Sequence, residues 1–181
     1  MTRMRSNTGA MLRLRSVFKT LSAFGGRTMG LGLPKDYREL LELLNEKGVR
    51  YLVVGGYAVG HYGHSRSTND IDFFISGDES NARKMVLALE EFGFGVGELT
   101  SDLFTKKDSL VVMGVEPMAI DILNYCKGIE FEEAYSRRVL VDDEGLVVNL
   151  IAYDDLMTNK RAVGRLKDQA DVEYLERIRK T

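Results

Sequence analysis

The sequence predicts an α/β (α+β) domain, a mixed, twisted sheet flanked by helices with a helical C-terminal portion. Three observations predict it. Short runs rich in β-branched and aromatic residues, Tyr51-Leu52-Val53-Val54 and Ile71-Asp72-Phe73-Phe74-Ile75, have strand length and end in glycine or polar residues. Apolar residues at helical spacing precede and follow them, as in Tyr37, Leu40, Leu41 and Leu44. From Asp154 onward the pattern is helical only.

Taken in order, the folded domain begins at Pro34, which suits a first helical turn, and the first helix closes at Gly48. Residues 50–54 form a strand, 56–62 a short helix, 63–69 a polar loop and 70–75 the second strand. Glu79 to Phe92 is amphipathic, with Met85, Val86, Leu89 and Phe92 on one face, and Gly93, Gly95 and Gly97 follow as a loop. Ser109–Val115 and Met118–Leu123 read as strands about a Glu116-Pro117 turn. Residues 130–136 read as a short helix. Arg138–Val141 and Leu146–Ile151 make a hairpin around Asp142-Asp143-Glu144-Gly145. A helix from Asp154 to Val163 starts with carboxylates that suit its dipole. Gly164 interrupts it, and residues 168–179 form a last helix with Val172, Leu175 and Ile178 inward.

Composition sets bounds on function. A chain of 181 residues with 44% hydrophobic and 29% charged residues has enough material for one soluble globular domain. No apolar run approaches the ~20 residues of a membrane span, so no membrane partner is expected. The single cysteine, Cys126, excludes an internal disulfide and a cysteine zinc site, and a reducing, cytoplasmic setting is the simplest expectation. Residues 1–33 are read as a basic, flexible extension. A targeting peptide, a nucleic-acid-contacting tail and a start placed ahead of Met29 remain open for it. It carries six basic residues and no acid, which leaves 19 basic against 27 acidic residues in the rest, a net charge of −8. An acidic body argues against broad, nonspecific DNA binding but leaves a local basic groove possible. Residues 34–181 are read as the domain.

The chemistry concentrates in one stretch. The first strand runs directly into Gly55-Gly56, and Asp70-Ile71-Asp72 opens the second. Strand side chains alternate, so Asp70 and Asp72 share a face, about 6.6 Å apart along the strand. Two carboxylates side by side repel, and divalent cations give a reason to hold them together. Glycines let backbone N–H groups approach phosphates. The pattern describes a site for a metal-bound nucleoside triphosphate. Asp121 interrupts an apolar strand, Ala119-Ile120-Asp121-Ile122-Leu123, and faces away from its isoleucine neighbours. His61 and His64 lie three apart without a third ligand of matching type, so helix-end or surface roles fit them better than metal.

The pair Val54-Gly55-Gly56 and Asp70-Ile71-Asp72, with Arg66 and Thr68 ahead of the acids, resembles the nucleotidyltransferase superfamily that includes polymerase beta, in its small stand-alone prokaryotic form. The resemblance covers roughly residues 35–178. It implies the nucleotidyltransferase fold and Mg²⁺-dependent transfer of a nucleoside monophosphate to an acceptor hydroxyl, in a two-metal site that Mn²⁺ could also serve. It implies that Asp70, Asp72 and Asp121 hold the metals and are catalytic, and that Gly55, Gly56, Arg66, Thr68 and Lys160 bind the nucleotide. Arg66 could instead pair with a carboxylate, and Thr68 could only shape its loop. The segment Ile151-Ala152-Tyr153-Asp154-Asp155-Leu156, followed by Lys160, Arg165, Lys167, Asp168 and Asp171, resembles the ending of small members. There Arg165 and Asp168 would fix the last helices against the site. The acceptor stays open among RNA, protein, as in toxin–antitoxin systems, and a small molecule, as in antibiotic-modifying enzymes. A protein of this fold that binds nucleotide without turnover is the other reading. Oligomeric state is not legible.

Overall fold

The computed structural model describes residues 30–180, except 96, 98 and 116–118. The expected extension lies outside the described residues up to 29, as does the Glu116-Pro117 turn.

Among the described residues thirteen elements follow one another: α1 (Lys35–Glu46), β1 (Tyr51–Val53), α2 (Gly55–His61), β2 (Asp70–Ile75), α3 (Glu79–Phe92), α4 (Asp102–Thr105), β3 (Leu110–Met113), β4 (Ala119–Leu123), α5 (Phe131–Ser136), β5 (Val139–Asp143), β6 (Leu146–Leu150), α6 (Tyr153–Val163) and α7 (Leu166–Arg179). The six strands form one mixed sheet in the order β3-β4-β2-β1-β6-β5. β2 is antiparallel to β1 and parallel to β4, and β1 is parallel to β6. The α/β fold expected from the strand and helix periodicities is the one observed.

Alternation along β2 divides its side chains between two layers. Ile71, Phe73 and Ile75 are buried on one face. Tyr51 of β1 packs edge-on against Phe73, and its hydroxyl donates to Asn45 near the end of α1. The buried stripe of α1, Tyr37, Leu40, Leu41 and Leu44, joins Ala82, Met85, Ala88 and Leu89 of α3 in the same core. On the opposite face Phe74 meets Phe131 of α5. Toward the start of β2 that face carries Asp70 and Asp72 instead, and the apolar layer gives way to a cleft.

Three details differ from the sequence reading. The single turn α4 was unexpected. It buries Phe104, while its four residues are too few for a periodic signal. The β5–β6 strands continue through Asp142 and Asp143 to a two-residue turn, Glu144-Gly145, with φ of 51° and 88°. Both aspartates are satisfied there: Asp142 accepts from the Gly145 N–H, and buried Asp143 pairs with Arg38. Finally, α7 buries Asp168, Asp171 and Leu175, whereas Ile178 is exposed.

Candidate active site

Three carboxylates converge where β2 and β4 run in parallel. Asp72 and Asp121 are register partners, and Asp70 precedes them by two residues on the same face. One oxygen from each of the three lies within 4.8 Å of the others. All three are half-buried. The strands set this geometry, because Ile71, Ile120 and Ile122 anchor the opposite face and leave the acids no other direction.

The glycine turn closes against these acids. Val54 donates its N–H to the Asp72 carbonyl at 3.0 Å, and α2 starts at the next residue. Gly55 has φ of +58°, and a Cβ there would fall 1.9 Å from the Asp72 Oδ2. A Cβ on Gly56 would fall 2.4 Å from the Thr68 Oγ1. Both positions exclude a side chain because the backbone touches the acid-bearing strand and its approach loop. The Gly56 backbone N–H offsets part of the rise in the Asp72 carboxyl's pKa. Thr68 Oγ1 donates to Asp70 Oδ1 at 2.6 Å, which fixes that carboxylate's orientation.

The electrostatics match a cluster of like charges. Burial first, then Asp70 and Asp121, raise the Asp72 carboxyl to about 6. Asp121 is raised by the same two kinds of cause, burial ahead of Asp70. Tyr37, below the site, donates its hydroxyl to the Ala119 carbonyl at the start of β4, and burial, Tyr57 and the three acids hold its phenol up at about 12.

A second group of charges forms the wall beside the acids. Lys160 of α6 is buried, its Nζ 2.9 Å from Asp168 and 2.9 Å from Asp171. Arg66 binds Asp171 in a fork, Nε to Oδ1 at 3.0 Å and one terminal nitrogen to Oδ2 at 3.2 Å. Arg165 reaches Asp168 at 3.1 Å. His64 lies 3.2 Å from Asp171 and stacks on Tyr174. The cations beside them hold the carboxyls of Asp168 and Asp171 below the usual range despite burial. The loop that presents Thr68 and Asp70 is thereby tied to α6 and α7.

These parts share one cleft of about 650 Å³, which all ten residues expected at the site line. Sequence reasoning left Asp171 without a role, because a carboxylate on a polar helix resembles a solvated one. Lys167 also lines the cleft and was likewise left unassigned. Leu110, Leu123 and Tyr125 line the cleft as well. Leu110 and Tyr125 are 59% and 49% exposed, and Val112, the register partner of Asp121 on β3, is 61% exposed. Exposed apolar side chains thus adjoin Asp121, and Lys127 and Lys167 line the same cleft.

The fold and the acid cluster define a nucleotidyltransferase-like protein. Residues 34–181 match the family described as "Nucleotidyl transferase of unknown function" (DUF2204), and the chain belongs to that family. Among solved structures it is similar to a Thermotoga maritima protein provisionally assigned as a nucleotidyltransferase. The TM-score is 0.50 at 18% identity, over 80% of this chain and 88% of that one, which is a likeness of fold. No curated protein matches. No helix among the described residues is long and apolar enough to cross a membrane.

Proposed function

We propose that this protein is a Mg²⁺-dependent enzyme that transfers a nucleoside monophosphate from a nucleoside triphosphate to an acceptor hydroxyl and releases pyrophosphate. The observation that carries the reading is the convergence of Asp70, Asp72 and Asp121 beside a glycine turn that excludes side chains. Three hard oxygen donors within 4.8 Å, two of them with raised pKa, fit divalent cations and are poorly accommodated without them. Asp70, Asp72 and Asp121 would hold the ions. When bound, Mg²⁺ neutralises charge on the entering and leaving oxygens.

The chain's own groups then divide the work. Thr68 keeps one Asp70 oxygen aimed, leaving the other for a ligand. Gly55 and Gly56 let the backbone approach the phosphates. Asp121 faces the acceptor side and helps draw the proton from its hydroxyl as the new O–P bond forms and the bond to pyrophosphate breaks. Arg66, Lys160, Arg165 and Asp168 brace the loop and the last two helices around the cleft, and this bracing accounts for their conformations better than direct contact with the nucleotide does. The apolar surface of Leu110, Val112 and Tyr125 is where the acceptor arrives.

The reading is tested by incubating the purified protein with each α-³²P-labelled nucleoside triphosphate and Mg²⁺, in the presence of total RNA or of a protein extract. Asp70→Ala/Asp72→Ala serves as control. Label transferred only by the unmutated protein supports the reading and names the acceptor class. Absence of both transfer and metal-dependent triphosphate binding ends it.

A further inference from the structure

We propose that Lys167 is the cleft residue that binds the phosphate chain of the nucleotide, an inference that rests on the nucleotidyltransferase reading above. Its neighbours on the wall are already engaged. Lys160, Arg66 and Arg165 each have a carboxylate oxygen of Asp168 or Asp171 at 2.9–3.2 Å. Lys160 is 5% exposed, so freeing its ammonium would strand two buried carboxylates.

Lys167 differs on each count. It is exposed, it lines the same cleft as the three aspartates, and among the described residues its ammonium has no hydrogen bond or ion pair. Its charge nonetheless reaches the site, where it opposes the rise in pKa of both Asp72 and Asp121. It is the second residue of α7, where a cation opposes the positive end of the helix dipole. A lysine held in that unfavourable position, with no direct hydrogen bond or ion pair among the described residues, is matched by an anion arriving from the cleft. Lys127, also on the cleft wall beside Tyr125 and Cys126 in the chain, is the comparison residue.

The test is calorimetric titration with inorganic tripolyphosphate and with MgATP. It compares the unmutated protein with Lys167→Met, Lys167→Arg and Lys127→Met. Lys167→Met is expected to raise both dissociation constants about tenfold, as loss of a charge-assisted contact does. Lys167→Arg should stay within about threefold and Lys127→Met should leave both unchanged. Melting temperatures should shift by no more than a few degrees, since Lys167 is exposed and makes no direct ion pair among the described residues. Undiminished binding by Lys167→Met, or an equal loss in Lys127→Met, overturns the assignment while leaving the nucleotide reading standing. Failure of the unmutated protein to bind either probe removes both.

Discussion

Asp72 and Asp121 face each other across the parallel β2–β4 ladder, and burial, with Asp70 beside them, holds both carboxyls above the usual range. This arrangement costs stability whenever the acids are charged and no cation is present. Asp72 rises from 3.8 to about 6, so the folded state holds its proton more tightly than the unfolded chain does. The stability this contributes is complete below pH ~4 and is lost as pH rises through about 6. It amounts to roughly 2–3 kcal/mol at most. In chelator, the melting temperature should therefore fall between pH 4.5 and 7. Mg²⁺ or Mn²⁺ should restore it, more at pH 7.5 than at pH 5. A flat pH profile with no effect of metal would show that the three acids do not form a cation site.

Gly55 to alanine tests the contact between the turn and the acids. The new Cβ would overlap Asp72 Oδ2, and φ of +58° is itself unfavourable for a side chain. The expected loss is about 1–3 kcal/mol in stability. Mn²⁺ affinity measured by electron paramagnetic resonance should fall together with it, because Asp72 must move. Gly60 to alanine, where a Cβ meets nothing within 4 Å, is the matched control and should alter neither.

Most of the fold was legible because burial follows residue type along β2 and α1. Ile71, Phe73 and Ile75 alternate with the acids, and Tyr37, Leu40, Leu41 and Leu44 recur at helical spacing. Asp121 was legible for the related reason that a charge in an apolar strand needs compensation. The last helix defeats the same logic. Its spacing suggests Val172, Leu175 and Ile178 as the inner face; Leu175 is buried and Val172 packs on the core, but Ile178 is exposed and Asp168 and Asp171 turn inward, where Lys160 of the preceding helix and Arg66 of a distant loop meet them. No local pattern reports a partner more than 100 residues away, as Arg66 is from Asp171. The position of Thr68 in the motif points to a nucleotide ligand. Its hydrogen bond to Asp70 supports an orienting role.

That role has a direct test. Thr68→Val keeps the shape that packs under Gly56 and removes only the hydroxyl that donates to Asp70. A hydrogen bond to a charged oxygen in a half-buried site contributes about 1–2 kcal/mol. Metal affinity should fall roughly five- to thirtyfold on that scale, while the melting temperature in chelator stays within a few degrees. Thr68→Ser should retain the affinity. An unchanged metal affinity in Thr68→Val would leave the threonine with a packing role alone.

Asp171 carries the largest structural consequence. Its carboxylate is 1% exposed and accepts from Lys160 and from both arms of Arg66, with His64 alongside. Asp171→Ala leaves the buried Lys160 ammonium with Asp168 alone and releases the loop that carries Thr68 and Asp70. Breaking a buried pair from one side costs about 3–5 kcal/mol, so urea denaturation should show a loss of that order. Arg165 is 64% exposed in its side chain, and Arg165→Ala should cost less than ~1 kcal/mol although it contacts the same network. Asp171 also has a pH signature opposite to that of Asp72. Its carboxyl is held below the usual range, so its contribution is present above pH ~4 and disappears as the solution becomes more acidic. The unmutated protein should thus lose stability below pH 4 through Asp168 and Asp171, and above pH 5 through Asp72 when metal is absent. In Asp171→Ala the acidic limb should flatten and the upper limb persist. If both limbs survived the substitution unchanged, Asp171 would not be what ties α7 to the site.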